Sequence, residues 1–183
     1  MTIRKLRTID LIIFTVVGSI LDIVIGLKGF FGIVAFVSIG IPLVVLSYIR
    51  WGKYALLANL VLAIVHLFLF EAPFLSRLAH SLALMLLSCS LFIQRWSFYR
   101  VTRLNFGLVV GLYIALYLIM FFGEWCMLLI FQMEIPLENL ALNHSINILV
   151  GSFLLGLMAI QKELLVHMDP YLREKSEENK QHE

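Results

Sequence analysis

The chain is 183 residues long, enough for one domain, with 61% apolar and 14% charged residues and a mean hydropathy of +0.96. Soluble domains run near 45–50% apolar and about 25% charged, so this composition excludes an ordinary water-soluble fold. The net charge of +2 is too small to suggest a nucleic-acid partner, and none is expected; what informs is where the charges fall.

A helix needs roughly 17–25 apolar residues to cross the hydrocarbon, and six such runs follow one another. The first covers about residues 9–27, the second 30–49, the third 54–70 and the fourth 78–93. The fifth begins near 104 and stays apolar as far as Phe131, too long for one upright span. Glu124 therefore marks its boundary at 124, and Trp125 to Met133 lie in the interface or extend a tilted helix. The sixth covers 142–160. Residues 1–168 thus form an all-α, polytopic six-helix bundle, and 169–183 a polar tail. The first run carries no small-residue cleavage site after it and is expected to be retained as a helix.

Orientation follows from Lys and Arg, which gather on the cytoplasmic side. Arg4, Lys5 and Arg7 precede the first run, and Arg50 and Lys53 join the second to the third. Arg95, Arg100 and Arg103 join the fourth to the fifth, and Lys162, Arg173, Lys175 and Lys180 follow the sixth. The alternate connections hold only Lys28 and Arg77. Both termini are therefore expected in the cytoplasm, and Trp51, Tyr54, Trp96 and Tyr99 form an aromatic belt beside the inner charges.

Ionisable groups inside apolar spans are expensive and mark functional positions. With this orientation Asp22, His66, Glu71, His80, Glu124, Trp125, Asn143, His144 and Asn147 all fall in the outer half, with Glu134 and Glu138 nearby, over an inner half of Leu, Ile, Val and Phe. Asn143 and Asn147 are one turn apart and share a face. The pattern predicts a pocket open to the exterior, with Trp125 stacking on a solute and the polar groups hydrogen-bonding it. The plainer alternative is that these groups reach headgroups and water. Asp10, at the inner start of the first run, suits the positive end of a helix. Asn59 suits a hydrogen bond between helices.

Three outer histidines raise the question of a metal, since imidazole suits Zn, Cu, Fe or Ni. They stand on three different helices with no His-x-x-x-His pair, and neither a metal site nor a cofactor is expected. Cys89 and Cys126 lie in apolar runs and read as small hydrophobes. No Walker phosphate loop, no H-E-x-x-H and no rhomboid-like G-x-S-x serine is present, so an enzyme is not expected. Thr15, Gly18 and Ser19 make a small-residue strip on the first helix, of the kind that packs in a bundle or docks another membrane subunit.

The basic turn Arg50-Trp51-Gly52-Lys53 before the third helix, the length and the six-helix layout resemble the substrate-binding (S) component of energy-coupling factor transporters. That resemblance implies a bacterial cell-membrane protein that captures a vitamin-like micronutrient from outside. It implies a mobile loop, here Gly26 to Gly32, over the site. It also implies partnership with a transmembrane coupling subunit and two ATPase subunits. The family docks through an Ala-x-x-x-Ala strip on its first helix, whereas Thr15, Gly18 and Ser19 stand here. Two other functions fit the same composition: a non-transport membrane scaffold or assembly protein, and a transition-metal permease component.

Overall fold

A computed structural model describes residues 3–28, 36–69, 72–92, 105–133, 136–161, 164–168, 170–172 and 175. Among them are six α-helices of twelve residues or more: α1 (Ile3–Lys28), α2 (Gly40–Trp51), α3 (Leu56–Leu69), α4 (Phe74–Met85), α5 (Phe106–Ile130) and α6 (Leu137–Ala159). Five stretches are long and apolar enough to cross a membrane, namely Ile3–Leu27, Gly40–Leu69, Phe74–Phe92, Phe106–Ile130 and Leu137–Ala159. The chain is an all-helical, multi-pass membrane protein.

The stretch Gly40–Leu69 is not one straight rod. Gly52 adopts φ +54°, a left-handed conformation that glycine enters without a Cβ penalty, and a short 3-10 turn, Gly52–Ala55, leads into α3. A Cβ on Gly40 would lie 2.5 Å from Leu62 Cδ1, and Asn59 Nδ2 donates to Tyr48 Oη across the pair at 3.1 Å. Neither contact is possible along a continuous helix rising 1.5 Å per residue, so α2 and α3 lie side by side and antiparallel. The Asn59 bond joins two helices, as the sequence predicts. At twelve residues α2 is about 18 Å long, short of the roughly 30 Å of hydrocarbon. Within the predicted run 30–49, residues 36–39 are not helical and the helix begins at Gly40, while residues 29–35, with most of the expected loop, lie outside the described residues.

Contacts along the bundle fix the other directions. Arg7 stacks its guanidinium 3.5 Å from the Tyr54 ring centre while Asp22 meets His66, so α1 and α3 run parallel. Arg77 of α4 donates to Leu67 O at the end of α3, and Phe106 of α5 packs beside Gly156 of α6. Successive helices thus alternate in direction. The predicted boundaries differ mainly where charge flanks an apolar run. α1 starts at Ile3, α4 at Phe74 and α6 at Leu137, because basic and polar residues continue a helix once its apolar part is formed.

α1 holds α2 at both ends. At the far end Arg50 donates to Asp10 Oδ2 through Nε at 3.1 Å and Nη2 at 2.7 Å, and Trp51 Nε1 adds a third bond at 3.1 Å. Asp10 therefore does not serve the N-terminus of its own helix, which begins two turns earlier; it anchors a cation at the C-terminus of α2, where the helix dipole favours one. Twelve residues on, Asp22 holds the opposite end of α2. Between them the two backbones touch: a Cβ on Gly18 would lie 2.9 Å from Gly40 Cα. Gly18 and Ser19 are buried on this inward face, and Thr15 donates to Leu11 O of its own helix at 2.6 Å. Because backbone cannot give way as a side chain can, Gly18→Val is expected to force α1 off α2. A loss of about 1–3 kcal/mol or more, read as a lowered thermal midpoint in detergent, is the expected result; Gly111→Ala, where a Cβ meets nothing within 4 Å, should be neutral.

The opposite face of α1, with Ile12, Ile13, Val16, Ile20 and Val24, is exposed. In water such a face would aggregate; in a bilayer it meets acyl chains. The interior is built on α2, whose residues are all buried, and on Leu84, Leu87, Tyr113, Leu116 and Leu155 from the surrounding helices.

Candidate functional site

A helix that starts inside a membrane protein must find partners for its first N–H groups without water. At the start of α2 those partners are all present. Ile39 N and Gly40 N donate to Asp22 Oδ1 at 2.7 and 3.0 Å, and Ile41 N donates to Ser38 Oγ at 3.1 Å. The next residue, Pro42, has no N–H to satisfy. Ser38 N donates to Asn147 Oδ1 at 2.7 Å, and Asn147 Nδ2 reaches back to Phe36 O at 2.6 Å and to Asn143 O at 2.9 Å. Tyr113 of α5 donates to Asn147 O at 3.0 Å, through the space left by Gly151. Asp22 and Asn147 thus fix non-helical backbone in the protein interior.

From Asp22 a chain of side chains crosses the bundle. Asp22 Oδ2 accepts from Ser38 Oγ at 2.6 Å and meets His66 Nε2 of α3 at 2.8 Å. His66 Nδ1 faces His80 Nε2 of α4 at 3.2 Å, and His80 Nδ1 faces Glu124 Oε2 of α5 at 2.8 Å. The same Glu124 oxygen meets His144 Nε2 of α6 at 3.2 Å. Asp22 and His66 are fully buried, and the other three nearly so. His144 is walled by Tyr117 and Phe121, whose rings meet it edge-on at 5.7 and 5.3 Å. All five groups lie at one end of the bundle, away from the Asp10–Arg50 pair.

Hydrogen-bond capacity decides where the protons are. Asp22 already accepts two backbone N–H groups, which can only donate, and the Ser38 hydroxyl, whose own oxygen is taken by Ile41 N. These bonds leave one position on Oδ2, which a carboxylate fills by accepting from His66 Nε2. Glu124 Oε2 faces two ring nitrogens: as a carboxylate it accepts from both, and as an acid it would donate to one and accept from the other. One proton must still join His66 to His80. With both acids ionised, the three links of the Asp22–His66–His80–Glu124 chain take three ring protons, one more than two neutral imidazoles carry. In that state the pair bears a single positive charge between two carboxylates.

The ring geometry agrees. The two imidazole planes are parallel within 3° and their centres are 5.4 Å apart. With the nitrogens 3.2 Å apart, that is close to the largest separation such rings can have, so the lone pairs point head-on along the N–N line. A metal ion would need them to converge on a third point. Among the described residues no group of three or more His, Cys, Asp or Glu is arranged to hold a metal.

The chain matches no family model, no curated protein and no solved structure.

Of the residues predicted to recognise a solute, Asp22, His66, His80, Glu124, His144 and Asn147 come together in this cluster, with Asn143 half-buried at its edge. Trp125 does not join them. It is 37% exposed, turned away from the interior by the step around α5 that points Glu124 inward. Glu71 and Glu134 lie outside the described residues, and Glu138 is exposed. Ser38, Tyr113, Tyr117 and Phe121 were not singled out by the sequence. Tyr113, Tyr117 and Glu124 recur at i, i+4 and i+11, one face of a helix, and that spacing is the signal that points to the aromatic wall.

Proposed function

We propose that this chain is the membrane-embedded capture subunit of an uptake system. It takes a small, vitamin-like solute from outside the cell and works with a separate transmembrane coupling subunit and two ATPase subunits. In this reading the bundle spans a bacterial cell membrane six times, α2 and α3 being the second and third passes, with both termini in the cytoplasm and the polar cluster in the outer half. One observation supports it above others: six separated polar residues from α1, α3, α4, α5 and α6 are drawn to a single point in an otherwise apolar interior. Charged groups at such depth are costly and serve ion or substrate pathways. The solute would enter beside His144, between the edges of Tyr117 and Phe121, where an apolar wall meets a few directed polar groups.

The metal-permease alternative finds no support in imidazoles that face head-on. The test is purification of the whole chain from its native membrane, with mass spectrometry of any small molecule retained. His144→Gln is expected to weaken binding of that solute by about tenfold, equivalent to one lost bond of roughly 1.4 kcal/mol, with the thermal midpoint close to wild type. A scaffold would behave otherwise: no solute would be retained, and His144→Gln would leave its assembly with partner helices unchanged.

A further inference from the structure

The capping of α2 requires Asp22 and Ser38, and a single imidazole would suffice to fill the last acceptor site on Asp22. A second imidazole, a second carboxylate and a third imidazole exceed what that structural role needs, and each is a charged or polar group removed from water. Their order is what a proton requires: acceptor, ring, ring, acceptor, ring, each in hydrogen-bond contact with the next.

We propose that the His66–His80 pair is a proton-binding site, holding one exchangeable proton between Asp22 and Glu124, with His144 as the port through which it exchanges. In one form His66 is the imidazolium, donating from Nε2 to Asp22 and from Nδ1 to His80 Nε2, while neutral His80 donates from Nδ1 to Glu124. Transfer breaks the N–H bond at His66 Nδ1 and forms one at His80 Nε2. His66 is left as the neutral Nε2–H tautomer, and His80 becomes the imidazolium. No heavy atom needs to change partner, and both carboxylates keep their charge throughout. The port is His144: its Nε2 is on Glu124, while its buried Nδ1 has no hydrogen-bond partner among the described residues. When the pair has lost its proton and His80 Nδ1 is bare, a proton taken up at His144 Nδ1 lets Nε2 pass its own to Glu124, which hands it to His80 Nδ1. Release runs the same steps backwards, from His80 Nδ1 through Glu124 to His144 Nε2, with the proton leaving from Nδ1.

Among the described residues, titratable groups in contact with the pair and its port are Asp22 from α1, Glu124 from α5 and His144 from α6, with Tyr117 of α5 against the His144 ring. The segment before α2 adds the neutral Ser38 hydroxyl, bonded to Asp22. Arg77, one turn before His80 on α4, directs its guanidinium to Leu67 O and the Phe74 ring instead.

The proposal does not depend on solute capture, and the test uses the whole chain alone. With ring-15N-labelled histidine in lipid bilayers near neutral pH, magnetic resonance should show a 15N–15N coupling across the hydrogen bond between His66 Nδ1 and His80 Nε2. Three of those rings' four nitrogens should be protonated. His80→Asn assigns the signals and should abolish the coupling. Glu124→Gln, the milder change, should reduce the pair to two ring protons. Two protonated nitrogens in the wild-type pair, or no coupling between them, would overturn the proposal. So would an infrared C=O band of a protonated buried carboxyl that disappears in Glu124→Gln, because it places the proton on the acid. A retained solute without the coupling would spare the capture function and sink the proton site; the coupling without a solute would do the reverse.

Discussion

Asp22→Ala is expected to yield no folded protein from the membrane. The side chain accepts hydrogen bonds from Ile39 N, Gly40 N and Ser38 Oγ, and a fourth from His66 Nε2. Three of these donors are buried and the fourth, Ile39 N, is half-buried. An orphaned buried donor costs about 1–3 kcal/mol, more where a charge is involved, and a typical folded domain has only about 5–15 kcal/mol to lose. With the proton site proposed above, the loss is compounded, since the His66–His80 pair would keep its charge with one neighbouring carboxylate gone. Asp22→Asn should be intermediate, since its carbonyl oxygen can serve the two backbone amides while its NH2 opposes Ser38 and His66. Ser38→Ala removes one donor and one acceptor and should cost about 1 kcal/mol. The recovery of monodisperse protein in size-exclusion chromatography and a thermal melt order the three variants. Wild-type recovery of Asp22→Ala would show that the α2 amides find other acceptors.

That expectation rests on a break in α2 that hydropathy concealed. Phe36, Val37 and Ile39 are apolar, so a window across 30–49 runs through the non-helical residues without a dip. The local signal was present: Ser38 with Pro42 four residues on, a capping side chain followed by a proline in the first turn. It was outweighed because a membrane span is read from composition over about twenty residues, whereas a helix start is set by three or four. Asp22 stood out for the complementary reason: a lone carboxylate among Ile, Leu and Val has to have a partner. Which partner was not legible. The pairing of His66 with His80, and of both with carboxylates 44 residues away in sequence, depends on which helix faces meet, and that is a property of the packed bundle. The choice of Trp125 over Tyr117 and Phe121 has the same origin. Adjacent residues on a helix point about 100° apart, so Glu124 could face inward only by turning Trp125 away.

Glu124 offers the sharper separation of structure from function. Glu124→Ala leaves His80 Nδ1–H and His144 Nε2–H without an acceptor in a dry interior, and breaking a buried ionic contact from one side typically costs about 3–5 kcal/mol. Replacing the whole group is a different matter. In the triple variant His80→Leu, Glu124→Met, His144→Phe, no donor is stranded. His66 becomes the neutral tautomer, still donating to Asp22, and presents only a bare ring nitrogen where His80 stood. Apolar replacements of buried ion networks are often neutral or stabilising by about 1–4 kcal/mol, and Tyr117 and Phe121, whose rings already meet that of His144 edge-on, suit a phenyl group there. The triple variant is therefore expected to melt near or above the wild type and well above Glu124→Ala, while losing both the shared proton and the retained solute. If it melts as low as Glu124→Ala, the imidazoles and the carboxylate are holding the bundle together and no functional demand is needed to explain them. If it is stable and inactive, the charges have been kept in the membrane against a stability that ordinary hydrophobes would supply, and only the chemistry they perform can account for that.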